Sequence, residues 1–402
     1  MTNRNTRTRS IVFLAATGLL LTGAMLYAGP LVPPAGPVSS TYKTLHEVEP
    51  RKAINTINTP GDSNSTFRIT QPGSYYLTRN INGAPGKHGI KIEASGVTVD
   101  LNGFDVVGLT NTGGLVDGVR GVSPYSSIKV INGSVRNWGS DGINLFDVTN
   151  SVVEEVLASG NGSNGISIGI CSTISNCSSM ANTGYGIRPN ANCTISNCAA
   201  TENTLDGIGA VGACVIRECA ASQNRNGIRA FIGATIDNCS AGSNSINGIK
   251  VSLDSSVASS SVRGNGASGI QVEVSDCQIT DCTAQYNSQN GIWCDDNNVI
   301  RGNTCDMNGF PGTGAGVFAV GDRNRIEGNN CTGGSRGIDV VGIDNIIVQN
   351  TCRRNPINWN IQAGNSYGPT VVTPGGANVF GNSAPDTLGS THSNANFTYF
   401  VY

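Results

Sequence analysis

The stretch Asn226–Val251, NGIRAFIGATIDNCSAGSNSINGIKV, decides the fold. It opens on Asn-Gly-Ile, passes through short alternating runs, turns at Asn and Gly, and meets the next Asn-Gly-Ile twenty-one residues later. Working outward, Gly followed by Ile or Val recurs at Gly89, Gly118, Gly142, Gly165, Gly186 and Gly207, then at Gly248, Gly269, Gly291, Gly316 and Gly337, with a degenerate copy at Asn360-Ile361. Each unit holds a second short strand, such as Thr194–Ser196 or Val215–Arg217, and then a turn rich in Asn. Three short strands and three turns in about 21 residues fit one coil of a parallel β-helix.

Several consequences follow from stacking such coils. Each strand pairs with its counterpart one coil on, about 4.8 Å away, so 12 to 13 coils make a rod on the order of 58 Å long. Ile143, Ile166, Ile187, Ile208, Ile228, Ile249, Ile270 and Ile292 are expected to form one apolar column, each side chain contributing roughly 1.5 to 3 kcal/mol on burial. The Gly before each supplies either a positive φ or room for a close approach. Other solenoids fit poorly: Leu is too sparse for a leucine-rich repeat, the period exceeds a hexapeptide helix, and Gly-Gly-x-Gly-x-Asp is absent.

The Asn-Gly-Ile units, together with I-x-x-N-x-C at Ile300–Cys305, Ile326–Cys331 and Ile347–Cys352, resemble the right-handed parallel β-helix repeat family, the pectin-lyase-like superfold. The resemblance covers about Gly86 to Ala363 and implies an all-β, right-handed solenoid. It implies no single activity, because that fold hosts lyases, hydrolases, epimerases and adhesins.

The expected organisation is a signal peptide at 1–28, a Pro-rich linker and N-terminal cap at 29–85, the β-helix at 86–364 and a C-terminal cap or extension at 365–402. Arg4, Arg7 and Arg9 precede an apolar run from Ile11 to Leu26, and Ala24 and Ala28 frame a cleavage point. This predicts export to the envelope or the medium, with no membrane span once the segment is removed. Within the cap, Phe67–Leu77 (FRITQPGSYYL) alternates around Pro72-Gly73 as a hairpin does. Charged residues are 13% of the chain and net charge is −2, so no basic field exists to gather nucleic acid. A monomer is expected.

The thirteen cysteines recur at the repeat interval, as at Cys177, Cys198, Cys219 and Cys239. Side chains stacked in register lie near the ~4.8 Å strand spacing, whereas a disulfide needs a Cβ separation of about 3.8 Å, so free buried thiols are expected. Metal binding is not: no C-x-x-C occurs and a column of thiols is no tetrahedral cage. Asn303, Asn329 and Asn350 take the position that Cys fills earlier, as a ladder of stacked amides.

Function must lie on outward positions. Two residues after each repeat Gly stands an outward side chain, giving a stripe that includes Arg188, Arg229, Lys250, Gln271 and Trp293; two residues further stand Phe231, Glu273 and Asp295. Arg229, Lys250, Gln271 and Trp293 are the candidate polysaccharide-binding residues, the cations meeting uronate groups and the indole stacking on a sugar face. Glu273, Asp295 and Asp296 are the candidate catalytic carboxylates, suited to an acid–base division of labour. Family motifs match sparsely. Only Asp295-Asp296 corresponds to the Asp-Asp pair of polygalacturonase-like enzymes, Lys87-His88-Gly89 departs from Gly-His-Gly, and the Asp-Pro-His of epimerase-like members is missing. A pectate-lyase-like site would add calcium and use Arg188 or Arg229 as base, but no Asp cluster accompanies either; otherwise no cofactor is expected. His46, His88 and His392 are scattered, so no His-based triad is visible. The reading is an exported polysaccharide-binding protein or surface rod, with a polysaccharide lyase or glycoside hydrolase as the alternative.

Overall fold

The computed structural model describes residues 49–109, 114–373 and 393–399. The expected signal peptide, the Pro-rich stretch, His46, His392 and most of the expected C-terminal extension lie outside the described residues. Two compact units divide the chain, Met1–Pro50 and Arg51–Tyr402, and the second carries every described strand.

That unit is all-β, and no helix occurs among the described residues. Fourteen strands, from Ser65–Ile69 to Ile357–Ile361, form a front sheet in which each strand pairs in parallel with its counterpart one coil on. The other twenty-eight make a second sheet bent into two ladders. Ile128–Arg136 spans both, pairing with Val97–Asp100 through its first half and with Asp105–Val107 through its second. The coil is therefore three-sided, and front strands at about 4.8 Å intervals give a length of about 62 Å.

The expected apolar column is present. Ile143 through Ile292 are fully buried and stand in register from coil to coil. The front sheet has fourteen strands where twelve to thirteen coils are expected, because pairing begins earlier than the Gly-Ile pattern. Phe67–Leu77 turns at Gly73, with φ 138°, yet its two arms are not a hairpin. Ser65–Ile69 pairs with His88–Ile92, and Gly73–Tyr76 with Val97–Asp100, both in parallel. Alternation alone fits either arrangement; burial of Phe67, Ile69, Tyr75 and Leu77 in one shared interior favours the coil.

The repeat glycines are required for space and not for a left-handed backbone. Gly207 has no positive φ, but a Cβ there would lie 2.6 Å from Asn224 Nδ2 and 2.7 Å from the Gly227 carbonyl oxygen. Left-handed residues mark other corners, as at Asn176, Asn197 and Asn238 with φ of 54°, 52° and 51°, a conformation Asn tolerates. Each is followed by an inward-turned cysteine: Cys177, Cys198 and Cys239.

Polar side chains close the corners inside. From Asn161 through Asn182, Asn203, Asn224, Asn244, Asn265 and Asn287 to Asn308, each backbone N–H donates to the Oδ1 of the next coil at 2.9 to 3.1 Å. The cysteine column becomes an asparagine column as expected, since Cys282 N–H donates to Asn303, Asn303 to Asn329 and Asn329 to Asn350. All thirteen cysteines are free, and all but Cys171 are buried. Burial pushes the Cys277 and Cys282 thiols up, to about 11 and about 12, so they stay neutral fillers.

A third ladder runs the same way, Cys277 N–H donating to Asn298, Asn298 N–H to Asn324 and Asn324 N–H to Asn345, and a fourth runs in the opposite sense. Asn164 N–H donates back to Asp141 and Asp141 N–H to Asp117, as Asn247 N–H does to Asn226.

Candidate functional site

The front sheet sets the outward stripe in one line. Arg229 pairs with Lys250, Lys250 with Gln271, Gln271 with Trp293 and Trp293 with Phe318 on successive strands. All four candidate binding residues are thus brought onto one face, by the same pleat that turns Ile228, Ile249, Ile270 and Ile292 inward. Gln271 is partly engaged, its Oε1 accepting from Asn247 Nδ2 at 2.8 Å.

The carboxylates divide into two groups. Glu273 lies 2.5 Å from Lys250 Nζ. A bulge intervenes between its strand and the next: Val272 pairs with Cys294 and Ser275 with Asp296, so Glu273 and Val274 stand against Asp295 alone. Burial holds the Asp295 carboxyl above the usual carboxylate range, and the charges of Asp296 and Asp322 push the same way. Asp296 accepts from the Asp322 N–H at 2.7 Å and faces Arg323 at 3.6 Å. The structure therefore groups Asp295 with Asp296 and Asp322, and Glu273 with Lys250. Among the described residues no group of three or more His, Cys, Asp or Glu is placed to hold a metal ion.

The sequence pattern missed part of the face. Arg188 lies over the Phe146 ring, 4.3 Å from its centroid, and 5.9 Å from that of Tyr185. Tyr185 in turn covers Gly209, where a Cβ would meet its ring at 2.5 Å. Arg229 lies 4.3 Å over Phe231. Phe146 was legible, since it stands four residues after its repeat Gly as Phe231 does. Tyr185 was legible as a departure, taking the pre-Gly position where Asn and Asp recur.

Cations elsewhere on the face are compensated. Lys91 pairs with Glu93, and Arg120 with the buried Asp117 at 2.8 Å. His88 belongs to the corner ladder: the Asp117 N–H donates to its Nδ1 at 2.9 Å, which leaves the ring proton on Nε2. Burial lowers its basicity; the Asp117 carboxylate opposes that, and Arg120 and Lys91 add to it.

A family model described as "Right handed beta helix region" matches residues 117–261 and 254–387. The chain belongs to this family. No curated protein matches the sequence. Among solved structures, this β-helix protein is similar to the Dettilon tailspike protein at 14% identity and a TM-score of 0.45, covering 82% of this chain and 61% of that one. It is similar to the Azotobacter vinelandii mannuronan C-5 epimerase AlgE6 A-module at 16% identity and 0.46, covering 82% and 91%. It is also similar to the periplasmic alginate epimerase AlgG at 10% identity and 0.43, covering 87% and 81%. The chain thus spans less than two thirds of the tailspike, and likeness at this level is no guide to activity.

Proposed function

We propose that this exported β-helix protein binds an acidic polysaccharide lengthwise on the outer face of its front sheet. The observation that carries this reading is a pair of uncompensated cations: Arg188 and Arg229 lie on aromatic rings and have no acidic partner among the described residues. They stand two strands apart, about 10 Å, with Gly209 and the overlying Tyr185 ring as the floor between them. A guanidinium over a ring face still has N–H groups to offer carboxylates. Trp293 and Phe318 extend the aromatic surface towards the C-terminal coils. Export rests on the N-terminal basic and apolar segment.

The test is binding of the purified protein to alginate, pectate and chondroitin at several salt concentrations. Replacing Arg188 and Arg229 together by Ala removes two charge-assisted contacts, each worth about 1.5 kcal/mol, and is expected to weaken binding by roughly a hundredfold. Unchanged affinity in the double variant refutes the reading.

A second reading, a hydrolase or lyase, is favoured by one feature. Burial and the charge of Asp296 raise the Asp295 pKa, the direction a general acid requires. Under it Asp295 is the acid, Asp296 or Glu273 the base, and Lys250 and Arg229 bind substrate carboxylates. Incubation with the same polymers, with and without calcium, separates the cases: absorbance at about 235 nm marks a lyase's unsaturated product, and new reducing ends alone mark a hydrolase. Activity that survives both Glu273→Gln and Asp295→Asn removes these residues from the mechanism.

A further inference from the structure

We infer that the cavity at the corner leading into the last strands of the front sheet binds a single neutral sugar ring bearing a methyl group, a 6-deoxy- or N-acetyl-sugar. The inference rests on the reading of the front face as a glycan-binding surface and adds a second, chemically different subsite to it.

The repeat itself marks the place. Between Gly291 and Gly316 the interval is 25 residues, against 20 to 22 from Gly165 to Gly291, and the added length forms a turn through Phe310 and Pro311. Those residues face Pro356 and Ile357 across a cavity of about 310 Å³. That is the low end of the range for small-molecule sites, the size class of one ring and not of a polymer segment. Phe310 is 62% exposed and Ile357 46% exposed, so two large apolar side chains are left to solvent beside one cavity.

The polar groups at its edge argue for a neutral ligand. Arg336 lines the cavity but is bound to the buried Asp339, whose other oxygen accepts from Asn360 Nδ2 at 2.7 Å. Its charge is already met, and no anion is called for. The Ser335 hydroxyl donates to the Gly309 carbonyl at 2.6 Å, leaving its oxygen to accept from a sugar hydroxyl. An apolar wall with few polar contacts suits a ring that presents a methyl group. Continuity with the groove comes through Arg336: Asp339 stands in register beside Phe318, and Phe318 beside Trp293.

The experiment is saturation-transfer NMR on the full chain with N-acetylglucosamine and L-rhamnose, against glucose and glucuronate. Saturation concentrated on the methyl protons is expected, with most of it lost in Phe310→Ala, a variant at an exposed position whose melting temperature should stay that of the parent. Equal saturation of glucose, no signal from either methyl sugar, or an unchanged signal in folded Phe310→Ala overturns the inference. The Arg188→Ala, Arg229→Ala double variant keeps methyl-sugar binding if the two subsites are separate. Methyl-sugar binding in a protein that ignores acidic polymers would sink the proposed acidic ligand and keep only the cavity's assignment, whereas acidic-polymer binding without a methyl-sugar signal sinks this inference alone.

Discussion

Removing one amide from the middle of the asparagine ladder tests the physical basis of the rod. Asn224 is buried; its Oδ1 accepts from the Asn203 backbone N–H at 2.9 Å and from Asn203 Nδ2 at 3.0 Å, and its Nδ2 donates to the Ala200 carbonyl at 2.9 Å. In Asn224→Ala the Asn203 N–H and the Ala200 carbonyl lose these partners inside the corner. Asn203 Nδ2 keeps its contact with the Ser179 carbonyl at 3.2 Å. The orphaned Asn203 N–H costs about 1 to 3 kcal/mol, the Ala200 carbonyl keeps its ladder bond to the next strand, and with the amide–amide contact also lost the variant should lose about 3 kcal/mol. Cys219→Ala is the control one corner away. Its thiol makes only weak contacts, 3.2 Å to the Arg217 carbonyl and 3.9 Å to that of Ile195, and its loss should cost about 1 kcal/mol. Urea unfolding followed by circular dichroism measures both, and amide exchange at Asn203 should accelerate only in the first. If Asn224→Ala proves no more damaging than Cys219→Ala, the amide ladder does not hold the corners together.

Gly227→Ala should be worse than its one methyl group suggests, by about 3 kcal/mol or more, because its Cβ would sit 2.6 Å from the Gly248 carbonyl oxygen; a soluble variant with the parent's urea midpoint contradicts this. For His88, burial depresses the folded pKa, so the unfolded chain takes up the proton more readily. Its contribution is whole above about pH 6.5 and is lost as pH falls below that, and His88→Asn, which keeps an acceptor for the Asp117 N–H, should flatten this part of the stability–pH curve. A thiol reagent should modify one cysteine, Cys171, in the folded protein and thirteen after denaturation without reductant; fewer in the denatured chain would reveal disulfides.

Much of this architecture is legible in the sequence because a solenoid converts sequence period into spatial register. Ile228 over Ile249 and Arg229 over Lys250 follow from one spacing, and both pairs are observed. What escaped reading is whatever the period does not encode. The Phe67–Leu77 segment alternates correctly for a hairpin, and only the shared burial of Phe67 and Tyr75 distinguishes a coil. The bulge at Glu273 breaks step for two residues, too short a lapse to see against intervals that already vary by one or two. The ring of Tyr185 over Gly209 is a contact between an exceptional residue and an absent side chain, and patterns built from recurring types pass over both. The exchange of Cys for Asn at Asn303 was readable because Asn303, Asn329 and Asn350 continue the column that Cys fills up to Cys282.

The opposed senses of the corner ladders give the rod chemically distinct ends. In three ladders a rung's backbone hydrogens look forward for an acceptor that only the following segment brings, whereas in the fourth the arriving segment finds its acceptor already in place. Cutting the chain after a given turn therefore strands amide hydrogens, while cutting before it strands mainly oxygens, which have two lone pairs and are more often left under-satisfied in folded proteins. Fraying should begin from the carboxyl-terminal side unless something closes it, and a chain assembled from its amino terminus grows with that needy face always leading.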